Sequence, residues 1–151
     1  MLFPLSMSGS VSVEPDALPD LSAVIRAVMF ALEDAEPHYV SSDADSIRFR
    51  GGPFRFVWNW NILVPISYGR VTFSVDSPHV LMRYHVSFVE LLAVTLICCG
   101  VLWQVGSPTA ALVFLVASIT ASYLSTWLRF PVLLRDAAEQ ALHLQQVREV
   151  A

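Results

Sequence analysis

The sequence predicts an α+β membrane protein: an N-terminal helix and a four-stranded antiparallel sheet, then a two-helix transmembrane hairpin and a C-terminal amphipathic helix. Three observations carry this. Two apolar segments, 87–105 and 109–128, each approach the ~20 residues that a helix needs to cross ~30 Å of hydrocarbon. Upstream of them, apolar residues recur first at helical spacing and then in strict alternation. Hydrophobic residues make up 55% of the 151 and charged residues only 15%, against about a quarter in ordinary soluble domains.

Four segments follow from this patterning: residues 1–15 as a disordered N-terminal stretch, 16–86 as a membrane-proximal α+β domain, 87–130 as the hairpin and 131–151 as the terminal helix. The first stretch is Ser-, Gly- and Val-rich between Ser6 and Pro15 and lacks the basic start and apolar run of a signal peptide. From Pro19 to Ala35, Leu21, Val24, Ile25, Val28, Leu32 and Ala35 share one helical face, with Asp20 as the N-cap and Pro37 just past the end.

After the polar turn Ser41 to Asp45 the period falls to two. Strands are expected at 46–50, 54–60, 70–76 and 79–86, with Gly51-Gly52-Pro53 and Asp76-Ser77-Pro78 as turns. The second of these presents Phe54, Phe56, Trp58 and Trp60 on one face, which core packing explains without a ligand. Between the second and third strands, Ile62 to Ile66 is apolar where a loop should be polar, and Pro65 keeps it out of a sheet centre. Contact of Leu63, Val64 and Ile66 with lipid or a partner protein, beside Trp58, Trp60 and Tyr68, is the expectation; burial beneath the sheet is the alternative.

No flexible linker separates the last strand from the first membrane helix, which holds the domain against the bilayer. The turn Gly106-Ser107-Pro108 allows only a reversal. Arg70 and Arg83 precede the first helix, Arg129 and Arg135 follow the second, and the loop between them is uncharged, so both termini are expected in the cytoplasm. Within the spans only Glu90 is charged, and a pair with Arg129 is expected. With no second buried acid, histidine or lysine along the hairpin it makes no proton relay.

The second span sets Ala117, Ala121 and Ser125 at intervals of four, small enough for another helix to approach closely. Past Pro131, residues Leu134, Ala137, Ala138, Ala141, Leu142 and Leu144 form the broad apolar face of a helix that lies on the membrane or against the domain.

Function is expected as a class. The net charge of −4 and the scattered arginines argue against nucleic acid. Cys98 and Cys99 are adjacent and mid-membrane, which suits neither a disulfide framework nor zinc. No nucleophile triad, carboxylate pair, phosphate loop or metal set is visible, so no enzyme, cofactor or metal is expected. The expectation is a non-enzymatic accessory or assembly subunit of a larger integral-membrane complex, respiratory or photosynthetic among the possible hosts, with lipid and other membrane proteins as partners. A membrane-tethered sensor holding a lipid or small hydrophobe at Trp58 and Trp60 is the alternative. All nine basic residues are arginine, as a GC-rich bacterial genome would favour, and the bacterial cytoplasmic membrane is the expected location.

Overall fold

The computed structural model describes residues 5–14, 20–51, 63–76 and 79–150, with backbone alone at 146 and 148–150. These residues form a mixed α+β structure in the order β1 (Ser6–Val13), α1 (Leu21–Asp34), β2 (Tyr39–Ser42), β3 (Ser46–Arg50), β4 (Tyr68–Asp76), β5 (His79–Ser87), α2 (Val89–Gln104) and α3 (Pro108–Val150).

The five strands make one antiparallel sheet in the order β1-β5-β4-β3-β2. β2 to β5 run as a meander, while α1 carries the chain from β1 at one edge to β2 at the other. Alternation sorts the residues onto two faces. Met7, Val11 and Val13, Ile47 and Phe49, Val71 and Phe73, and Val80, Met82, Tyr84 and Val86 are buried on the inner face. The outer face is mostly polar and exposed, with Ser46 and Ser87 buried and Leu81 half-buried.

Two helices cover the inner face. α1 buries Val24, Ile25, Val28 and Leu32 there. It starts as its sequence predicts: Asp20 Oδ1 accepts from the Ser22 amide at 2.9 Å and from the Ser22 hydroxyl at 2.7 Å. That hydroxyl bond, helped by the Ser22 amide, holds the Asp20 carboxyl below the usual carboxylate range. The second cover is the C-terminal half of α3, through Phe130, Leu134, Ala137, Ala138 and Ala141. Phe130 is the hub, its ring 5.7 Å from that of Phe49 and 5.2 Å, edge-on, from that of Tyr84. Two glycines make room for such rings: a Cβ at Gly69 would run into Phe49, and one at Gly9 into Tyr84.

Several expectations need correction. Residues 6–13, expected to be disordered, form β1 and pair with β5 from Ser6↔Ser87 to Val13↔Val80. Their serines are poor strand formers alone, but Met7, Val11 and Val13 alternate with them, and burying that face orders the edge. The polar stretch after Pro37 contains β2, which pairs with β3 from Tyr39↔Arg50 to Ser42↔Ile47. β3 is flanked by β2 and β4, so the sheet has five described strands rather than four. The strand expected at 54–60 lies outside the described residues.

The terminal helix is not separate either, because α3 runs unbroken through Pro131 for 43 residues, about 64 Å. Proline removes one backbone donor there. Full burial of Phe130 and Leu134 on either side offsets that cost.

Candidate membrane and partner interface

β5 passes into α2 through a single residue, Phe88, and this junction is tied from three directions. The Phe88 amide donates to the Leu5 carbonyl at 2.8 Å, and the Ser67 amide to the Ser87 carbonyl at 2.7 Å. The buried Ser67 hydroxyl accepts from the Glu90 amide at 2.8 Å, satisfying a first-turn donor that Phe88, with no side-chain cap, leaves open. Tyr123 of α3 closes the far side, its ring 4.7 Å from that of Phe88.

One stripe of α3 builds both halves of the molecule. Ala111, Leu115, Ser118, Ser122 and Thr126 recur at spacings of three and four and continue without a break into Phe130, Leu134, Ala137 and Ala141. In the first half the stripe meets α2. The Thr95 hydroxyl donates to the Leu91 carbonyl at 2.8 Å and lies 3.2 Å from the Ser118 hydroxyl, and the Cys99 thiol donates to the Ala111 carbonyl at 3.3 Å. Small residues bring the helices close. In the second half large apolar residues take over and meet the sheet.

The rest of the hairpin surface is apolar and uncovered. Leu96, Ile97, Val101, Leu112, Val113, Val116, Leu124 and Leu128 are all exposed. α3 is long and apolar enough to cross a membrane, and only 11% of its most apolar stretch is buried, where the core helix of a soluble protein would be mostly buried. α2, at 16 residues, spans about 24 Å. Trp103, 65% exposed near the tip, and Trp127, 62% exposed near the domain, stand roughly 26 Å apart along the hairpin axis when counted at 1.5 Å per residue from the level of the Thr95 and Ser118 contact.

Comparisons with protein-family models, with curated proteins and with solved structures find no match for this chain.

The expected contact residues are distributed as follows. Leu63 and Ile66 are fully buried in the core beneath the sheet, which corrects the expectation that they touch lipid or a partner. The Ile66 amide donates to the Leu63 carbonyl at 3.1 Å, so the turn folds inward and leaves Val64 half-buried. Trp58 and Trp60 lie outside the described residues. Ala117 and Ala121 are exposed, one step round α3 from the seam with α2, while the Ser125 hydroxyl donates back to the Ser122 carbonyl at 3.0 Å.

Glu90 does not take Arg129 as its partner in the pair described here; it accepts from Arg50 Nη2 of β3 at 2.8 Å. The reason is angular. Glu90 lies roughly 140° round α2 from Thr95, so it points away from the seam with α3 and towards the end of β3. Its charge also stands in the first turn, where the helix dipole favours an acid. The apolar tail face packs on its own domain through Leu134, Ala137, Ala138 and Ala141, with Leu144 left exposed. Among the described residues no three acidic, histidine or cysteine side chains stand where they could hold a metal.

Proposed function

We propose that this chain is a non-enzymatic, membrane-anchored subunit that presents a rigid α+β domain at the bilayer surface and docks beside other integral-membrane proteins. The observation that carries the reading is the hairpin, apolar on all sides, joined to the sheet without a linker at both ends. α2 leaves from β5, and α3 returns as one rod to cover the sheet, so the domain cannot swing away from the lipid. Trp103 and Trp127 fit the two interfaces of a thin hydrocarbon layer, since tryptophan favours the headgroup boundary. The return of α3 to the sheet supports a reading with both ends of the hairpin on one side of the bilayer, and the arginines at those ends favour the cytoplasmic side. Ala117 and Ala121, left outside the hairpin's own seam, offer a close approach to a partner helix.

Extraction in a mild detergent followed by size-exclusion chromatography tests this. A fixed stoichiometry with other membrane proteins, lost in Ala117→Leu/Ala121→Leu, is the expected result. A lone monomer, or a chain washed from membranes by carbonate, refutes it.

A further inference from the structure

The outer face of the sheet carries a graded pattern that core packing does not require. Register places the pairs Arg50↔Tyr68 and Tyr68↔Ser87 in the row nearest α2. The next row outward is Arg48↔Arg70, Arg70↔His85 and His85↔Ser8, and the one beyond is Thr72↔Arg83 and Arg83↔Ser10. Apart from the half-buried Thr72 and the buried Ser87, these side chains are exposed. Four of the chain's nine basic residues therefore share one sheet face in a protein whose net charge is −4.

Arg48 and Arg70 face one another directly, an arrangement that costs stability unless an anion lies between or above the two guanidiniums. Arg48 has Asp43 at 3.7 Å and Arg50 has Glu90, but among the described residues neither Arg70 nor Arg83 meets a carboxylate within ion-pair distance. Between them runs a groove of about 450 Å³ lined by Ser8, Ser10, Arg70, Thr72, Arg83 and His85. The Ser8 hydroxyl, 2.7 Å from His85 Nδ1, fixes the imidazole at its edge. Two guanidiniums, with an imidazole and the Ser10 hydroxyl beside them, form a donor set suited to phosphate oxygens, while the Thr72 hydroxyl donates to the Arg83 carbonyl at 3.2 Å.

We propose that this groove binds the phosphate of an anionic phospholipid headgroup. The proposal rests on the membrane placement put forward above, because depth selects lipid over a soluble phosphate. At about 3.3 Å per strand residue, Arg70 and His85 stand roughly 7 Å, and Arg83 roughly 13 Å, beyond the Ser87 row where the apolar hairpin begins. The headgroup layer of each leaflet occupies about 5–8 Å outside the hydrocarbon, which holds the Arg70 and His85 row; the Arg83 row stands just beyond it, close enough to feel the headgroup charges. Tyr68, 54% exposed on the same face, stands one row closer to the hairpin, giving the aromatic-then-basic order of a membrane boundary.

The test uses the full chain in detergent, with native mass spectrometry to compare retention of phosphatidylglycerol and phosphatidylcholine. The wild type should retain phosphatidylglycerol preferentially. Arg70→Gln/Arg83→Gln should weaken that retention roughly 25-fold, the product of about fivefold per arginine near an anionic surface. Arg70→Lys/Arg83→Lys should recover part of it, and Arg26→Gln on α1 should leave it unchanged. Equal retention of the two lipids, or a double variant that behaves as wild type, overturns the proposal. Titration with inorganic phosphate that saturates the groove as tightly as phosphatidylglycerol overturns the lipid assignment. The carbonate-resistant fraction of the same variants reports the anchor separately, so loss of the groove and loss of membrane insertion are read by different measurements.

Discussion

Phe130→Ala tests the junction at which α3 changes from hairpin to domain element. The ring is fully buried and touches both Phe49 and Tyr84. Truncating a buried phenylalanine removes ~3–5 kcal/mol through lost transfer and the cavity that remains, and the two ring contacts place this site near the middle, about 4 kcal/mol. That is a large part of the ~5–15 kcal/mol that holds a domain together. Trp127 is the internal control, one turn earlier and 62% exposed. On the proposed membrane placement, detergent or lipid covers it in every state, so Trp127→Ala should cost under about 1 kcal/mol. Thermal unfolding of the full chain in detergent, followed by near-ultraviolet circular dichroism, should place Phe130→Ala roughly 8–16 °C below wild type and Trp127→Ala within a few degrees. Equal losses at the two positions, or a Phe130→Ala variant within about 1 kcal/mol of wild type, would refute the assignment of the boundary.

Gly69→Ala should destabilise by ~1–3 kcal/mol, because its methyl displaces the Phe49 ring from Phe130, whereas Gly100→Ala meets nothing within 4 Å and should be neutral or slightly stabilising; chemical denaturation of both measures the contrast. A double-mutant cycle of Arg50→Ala with Glu90→Gln should return a coupling of about 0.2–1 kcal/mol, modest because Arg50 is largely exposed, and weaker at high salt. The depressed Asp20 carboxyl contributes stability above the ordinary carboxylate range and loses it as pH falls below about 4, so Asp20→Ala should lower the midpoint at neutral pH and flatten the acid limb of a stability profile. Burial raises the Tyr84 phenol, so its ultraviolet titration should fall above the usual tyrosine range of about 10, and Tyr84→Phe should remove that step.

Residues with strong local periodicity were legible from sequence alone. The face Leu21 to Leu32, the Asp20 cap, and the alternation in β3, β4 and β5 each satisfy a rule that operates within one element, and the folded chain obeys it. β1 was legible too, in the alternation of Met7, Val11 and Val13, but weak strand propensity masked it. β2 carries little pattern: four residues, none fully buried, held by pairing to β3. Of the expected contact surface, the small residues of α3 lie on the hairpin, while Leu63 and Ile66 turned inward, because an apolar run records that it must leave water and not where it goes.

By itself the sequence determined that this chain holds a helix, alternating strands and an apolar hairpin joined to them without a tether. Only the tertiary structure decided that β1 closes the sheet beside β5, that α3 crosses Pro131 as one rod, that Glu90 meets Arg50, and that Arg48, Arg70, Arg83 and His85 share a face. Period and propensity act over a few neighbouring residues. Strand order and register bring together residues up to 81 positions apart, as Ser6 and Ser87 show, and nothing in either local pattern encodes that meeting.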